Sequence, residues 1–399
     1  MNRRNFFKTS LVASSVLLSS SAFASTTTKP TDGRKVAEIA FPEKKPLITY
    51  SNRPPLLESP RSVFTQTITP NDEFFVRWHL PEIPTHLDPN RYTIKINGLV
   101  SKPLEITVKE LKEKFEPVEI TAVLQCGGNS RSAFHPTVGG IQWGSGAMGC
   151  AKWKGVRLKD VLKYAGISED AHWVGFNGKD NPAYYEAPDF IRELEMEEIT
   201  DDVILAYEMN GEDMPYLNGF PVRLVVPGYY SDSWVKMLDN ITVTNKYKSY
   251  FYMDKGYRIP DNATESETPE HHFKPTKPIT FMNVKSFIGY PEDGTKIAQN
   301  SHVVVRGVAF DSGRGIAKVQ ISTDNGKTWE DAILDDGSAG KFAYRGFRFA
   351  YKPTKKGNIK IMAKATDIDG NEQPLPDEVL YNHGGYKYNG IDSVTIKVI

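Results

Sequence analysis

Beyond residue 70 the chain is a succession of short apolar or aromatic runs, each closed by proline, glycine or asparagine. "EFFVRWHLP", "YTIKING", "VEITAVLQC", "AHWVGFNG", "VILAYEMNG", "FPVRLVVPG" and "LDNITVT" read as strands, because β-branched and aromatic residues between turn residues suit a pleated, half-buried surface. Three stretches carry helical spacing instead: "TVKELKEKF", "RLKDVLKYAG" and "APDFIRELEMEE", the second ending in a glycine suited to a C-cap. No βαβ period repeats, so the expected class is a mixed α+β domain and not a doubly wound sheet. The pattern then changes. "SHVVVRGVAFDSG", "IAKVQISTDNGKTWEDAIL", "FAYRGFRFAYKP" and "NIKIMAKATDIDGNEQP" are strands joined by Asn-Gly or Asp-Gly turns, with "DNGKTW" the clearest hairpin. Short strands at that regular spacing predict an all-β, Ig-like sandwich.

The proline-rich polar stretch "RIPDNATESETPEHHFKPTKP" lies between the two patterns and reads as a connection. The expected organisation is therefore a first domain over 71–260 and a second over 275–399. Residues 25–70 are rich in proline and lack periodicity, which predicts an extended arm with little regular structure. Residues 1–24 have a basic start, a weakly apolar stretch shorter than the roughly 18 residues that span a bilayer, and a small-x-small end at Ala22-Phe23-Ala24. That is an export signal, and "NRRNFFK" is similar to the twin-arginine type, which carries proteins already folded around a cofactor. The expected destination is the periplasm.

A length of 399 residues fits two domains. Lys plus Arg and Asp plus Glu both number 49, so no net basic charge points to nucleic acid. The chain has two cysteines, Cys126 and Cys150, and no CxxC or CxxCH, which argues against ordinary zinc, iron–sulfur and c-type haem sites. A lone thiol after an apolar strand is commonly a small hydrophobe, and a Cys126–Cys150 disulfide is open in an oxidising compartment. In "ITAVLQCGGNSRSAF", however, two glycines, an asparagine and Arg131 follow Cys126. Glycines allow close backbone approach, and a guanidinium stabilises the thiolate that ligates a soft metal.

These residues carry a resemblance. "LQCGGNSRS", "GIQWGSGAMGCAKWKGVRLKDVL", "LAYEMNG" and "GFPVRLVVPG" occur in order, and the chain from "FFVRWHLP" to its end resembles the sulfite oxidase family of molybdenum enzymes. The resemblance implies a molybdopterin-binding domain followed by a dimerisation-type domain, one molybdenum and one molybdopterin per chain, and Cys126 as the metal ligand. It implies that Arg77, in an Arg-x-His motif, faces an oxyanion substrate, that Arg131 is a second substrate guanidinium, and that Tyr257 is the active-site tyrosine, with Tyr250 and Tyr252 as competitors. Two-residue spacing puts Arg77 and His79 on one face of a strand. For the cofactor the resemblance implies His79, Asp180, Arg223, Trp234, Val235 and Lys236, together with Asn218, which stands where animal and plant members have histidine. "SDSWVKM" also departs from the family pattern and lacks its arginine.

What the resemblance implies for function is oxidation of sulfite to sulfate, with electrons leaving singly to a partner. Without a haem motif in the chain, that partner is expected to be a periplasmic c-type cytochrome, and a homodimer is expected. Alternatives within the family are a sulfane dehydrogenase and a methionine sulfoxide reductase; outside it stands a non-enzymatic exported β-sandwich binding protein. The mature chain is expected to have no membrane span and no nucleic-acid partner.

Overall fold

Strand formation follows the alternation of side chains. In Val303–Phe310 (VVVRGVAF) Val303 and Val305 are buried while Val304 and Arg306 are exposed, the period of two that a one-sided sheet requires. The computed structural model describes residues 41–399 apart from Pro42 and Ser338, so the expected signal at 1–24 lies outside the described residues. Among those described, 24 strands stand against three α-helices, Val108–Lys114, Leu158–Ala165 and Phe251–Asp254. The protein is thus mostly β, with a smaller helical share than the α+β reading anticipated.

Two of the expected helices form. Val108–Lys114 begins with a capping box between Thr107 and Glu110, and Leu158–Ala165 buries Leu158, Val161, Leu162 and Ala165 before Gly166 ends it at φ 69°. The third does not. Within "APDFIRELEMEE", Arg192–Glu195 is an edge strand paired with Trp173–Gly178, followed by a 3-10 turn at Met196–Glu198. Ladder pairing, with Val174 opposite Leu194, overrides the helical propensity of its Glu and Leu residues. The arm is also more ordered than expected: Ile48–Asn52 and Pro55–Glu58 form an antiparallel hairpin whose second strand pairs with Val76–Arg77.

Two five-stranded sheets build the first half of the described chain. One runs Glu212–Asp213, Ile204–Met209, Met148–Arg157 and Pro117–Gln125, with Arg223–Val225 also paired to Ile204–Met209. The other runs Leu104–Thr107, Thr93–Gly98, Leu238–Thr244, Trp173–Gly178 and Arg192–Glu195. Their inward residues share one large buried cluster containing Trp153, Ile204, Leu224, Trp234 and Ile241. Beyond residue 284, a four-stranded and a five-stranded sheet contribute Val305, Phe347, Val319, Ile361 and Ile396 to a separate cluster, the arrangement of a β-sandwich. Its expected "DNGKTW" turn joins Ile316–Ser322 to Glu330–Asp331, with Asn325 and Gly326 both at positive φ. A third cluster, including Phe64, Val123, Tyr257, Ile279, Phe287 and Phe310, joins the two halves. None of the described helices is long and apolar enough to cross a membrane.

Candidate active site

The strand Pro117–Gln125 is buried from Thr121 onward and delivers Cys126 to its end at 5% exposure. There the chain turns tightly. The Cys126 N–H donates to the Ala147 carbonyl (2.9 Å), the Asn129 N–H donates to the Cys126 carbonyl (2.9 Å), and the Asn129 side-chain oxygen accepts from Ala147 N–H (3.0 Å). A Cβ on Gly128 would lie 2.5 Å from the Arg131 guanidinium, so this glycine is what lets Arg131 fold back over the turn. The facing loop is pinned from the N-terminal hairpin: buried Glu58 accepts the N–H groups of Gly144 (2.8 Å) and Gly146 (2.9 Å). From the other half of the molecule, Lys285 Nζ donates to Ser130 Oγ (2.7 Å). Both cysteines are free thiols, which removes the disulfide alternative. Cys150 is packed among apolar residues on the neighbouring strand, and burial pushes its thiol up to about 12.

Beside this turn is a narrow cleft lined by Arg77, His79, Asn218, Arg223, Trp234 and Lys236 among others. The structure therefore brings six of the expected residues to one place. The ladder around Arg77 is only two residues long, Val76–Arg77, yet Arg77 and His79 both face the cleft as the spacing predicted. Lys236 Nζ donates to the Arg77 carbonyl (2.9 Å) and Arg223 donates to the Asn218 (2.7 Å) and Trp234 (3.0 Å) carbonyls, so the bases fix the backbone that presents their neighbours. Cys126 lies within electrostatic reach of Lys236 and Tyr257, and Asp180 within reach of Lys236 and Arg77. Val235 stands apart: its side chain is in the core, and its carbonyl accepts from Leu224 N–H (2.8 Å).

Arg131 also lies outside the cleft lining. Its guanidinium donates to the Ile141 and Gly384 carbonyls (both 3.1 Å) and sits 5.2 Å over the Tyr386 ring. Tyr386 in turn stacks on Tyr257 at 5.4 Å. Tyr257 contacts His79 Nε2 and holds a left-handed backbone at φ 55°, a conformation a bulky residue adopts only when its surroundings enforce it. Of its competitors, Tyr252 packs in the same aromatic cluster, 5.5 Å from His79.

Sequence reasoning missed several residues. Arg192 and Asp232 form a fully buried ion pair (2.7 Å), and the Arg192 guanidinium lies 5.5 Å from the Tyr257 ring. Phe190 stacks on His79 at 3.7 Å. Both Phe190 and Arg192 sit in the stretch read as a helix, and alternation within "FIREL" was the available signal. Lys44, in the arm, donates to the Asn218 side-chain oxygen (2.6 Å) and to the Asn71 carbonyl (2.6 Å).

The electrostatics fit an anionic occupant. Burial first, and then the Arg223 charge, hold Lys236 down to about 7, while burial holds Arg223 down to about 9. Burial, reinforced by Arg77, Lys236 and Arg192, keeps His79 well below its usual value, hence neutral. Asp180 is raised to about 6 by burial against the pull of Lys236. Buried cations of this kind are destabilising unless something negative joins them. Hydrogen-bonding atoms are also left over: His79 Nδ1 and Arg223 Nε on residues lining the cleft, and Asn129 Nδ2 and Arg131 Nε at the neighbouring turn, are buried without partners. A thiolate-bound metal with a phosphorylated, hydrogen-bonding organic ligand matches both the charge and the unpartnered polar atoms.

Comparison with known proteins agrees. Residues 79–252 match the oxidoreductase molybdopterin binding domain, and 276–398 the Mo-co oxidoreductase dimerisation domain. The chain is 31% identical to sulfite oxidase of Arabidopsis thaliana, over 86% of this chain and 92% of that one. It is 31% identical to sulfite oxidase of Gallus gallus (86% and 76%) and 33% identical to mitochondrial sulfite oxidase of Rattus norvegicus (88% and 65%). The chain thus spans a little under two thirds of the rat relative's length. Its structure superposes on the sulfane dehydrogenase SoxCD from Paracoccus pantotrophus with a TM-score of 0.74 at 25% identity, covering 94% of this chain and 96% of that one. The chain belongs to the sulfite oxidase family of molybdopterin oxidoreductases, and its cofactor is molybdenum carried by molybdopterin.

Proposed function

We propose that the protein is a sulfite dehydrogenase, converting sulfite and water to sulfate, two protons and two electrons. The observation that carries this reading is the buried free thiol of Cys126 beside a cleft of desolvated cations with unpartnered donors. Cys126 holds the metal. His79, Asp180, Asn218, Arg223, Trp234 and Lys236 hold the pterin and its phosphate, with Val235 contributing through its main chain. Bound molybdenum supplies the two-electron chemistry.

The chain's own residues bind and orient the substrate. Sulfite carries negative charge on three oxygens, and the planar Arg77 fork presents paired N–H groups to such an anion. Its role is electrostatic, stabilising charge as sulfate forms. With His79 neutral and its Nε2–H directed at the Tyr257 oxygen, the Tyr257 hydroxyl proton is left to hydrogen-bond the anion. Arg131 acts from one layer out, through the Tyr386 ring that separates it from Tyr257.

Electrons leave singly to a c-type cytochrome in the periplasm, which the protein reaches by twin-arginine export. The second module, of Ig-like type, pairs two chains; the dimerisation-domain match supports this. The test is reduction of ferricytochrome c by sulfite with molybdenum-loaded protein. A second reading, sulfane dehydrogenase, is favoured by the near-complete superposition on SoxCD. Turnover of sulfane sulfur without turnover of free sulfite selects it.

A further inference from the structure

Away from the cleft, the connection between the modules and the 381–386 turn bring together Glu267, His272 and His383, whose candidate ligand atoms all lie within 4.8 Å of one another. His383 Nε2 lies 3.1 Å from the Pro269 carbonyl, which can only accept, so Nε2 carries the proton. In a neutral ring Nδ1 then bears a lone pair, yet it stands 2.9 Å from Glu267 Oε1, buried and without a hydrogen bond. Two lone pairs at that distance repel unless a proton on Nδ1 or a metal ion bound by both atoms holds them together. Glu267 is already oriented for such a role: its carboxylate accepts the N–H groups of His383 and Phe273 (both 2.8 Å). A histidine whose second nitrogen donates to a backbone carbonyl has the orientation typical of a metal ligand. His272 stacks on His383 at 3.6 Å and is exposed, so its ring is free to turn its nitrogen inward.

The geometry points to a second metal site, in which Glu267, His272 and His383 bind a divalent transition cation of the zinc class. Two imidazoles and a carboxylate suit zinc and leave a fourth position for water. The site is separate from the molybdenum ligand, and its consequence is mechanical. It ties the connection at 267–272 to the turn that carries Gly384, which holds Arg131, and Tyr386, which stacks on Tyr257.

The experiment is zinc chloride titration of full-length, molybdenum-loaded protein without a polyhistidine tag, read by equilibrium dialysis and thermal melting. One zinc per chain, with a dissociation constant of about 1 µM or below and a raised melting temperature, is expected. His272→Ala should weaken binding about tenfold or more, as should Glu267→Gln and His383→Ala, with molybdenum content unchanged. His272 is exposed, so that variant decides the matter even if the other two misfold. Absence of saturable zinc, or equal binding by wild type and His272→Ala, would overturn the site and indicate an ordinary imidazolium–carboxylate pair.

Discussion

In the proposed reaction Arg77 is the residue on which substrate binding turns. Arg77→Gln keeps the shape but removes the charged fork, and the apparent KM for sulfite should rise roughly tenfold to a hundredfold, as expected for losing about 1.5–3 kcal/mol of charged hydrogen bonding. Steady-state rates over a sulfite series check this; an unchanged KM would remove Arg77 from the substrate site. Tyr257→Phe should lower kcat/KM while leaving molybdenum content intact, since in the proposed site only the hydroxyl that meets the anion is lost. Lys285 gives a pH prediction. Burial holds it down to about 7 from 10.5, so between those values the unfolded chain binds the proton and the folded chain does not. Its contribution to stability therefore rises with pH across that window, and its burial is most costly below pH 7. Lys285→Met should gain melting temperature relative to wild type at pH 6.5 and lose that advantage by pH 10; a pH-independent difference would contradict it.

Elements position these side chains, and here the limits of sequence reading are plainest. Strands that alternate regularly, and the two helices with clear caps, were legible because one period dominates each. The stretch around Arg192 was not, since Glu and Leu favour helix locally while pairing with Trp173–Gly178 decides the outcome. The Cys126 turn was legible through its glycines. The Arg131 position outside the cleft lining was not legible, because spacing along the chain does not reveal which carbonyls a long side chain finds. The Arg192–Asp232 pair joins residues 40 positions apart, invisible to any local pattern. A clean test of the central sheet is Gly155→Ala. The new Cβ would lie 2.0 Å from the Leu205 carbonyl oxygen, which belongs to a paired strand and cannot simply step aside. The substitution should cost about 1–3 kcal/mol in denaturant unfolding, and a neutral result would contradict that packing.

At the scale of the molecule, the candidate site draws contacts from both halves. Lys285 reaches the Cys126 turn from the sandwich, and Arg61 makes a two-pronged pair with Asp392 (2.7 and 3.1 Å) near the other end of the chain. Separating the halves should therefore impair cofactor retention as well as assembly. Sedimentation equilibrium should give twice the chain mass if the second module pairs two chains. The most direct test of the whole account is the rate of sulfite-dependent cytochrome c reduction by molybdenum-loaded protein, compared between wild type and Cys126→Ser. The account predicts turnover in wild type and its near-complete loss in the variant. Equal turnover by both, or none by wild type carrying one molybdenum per chain, would contradict it.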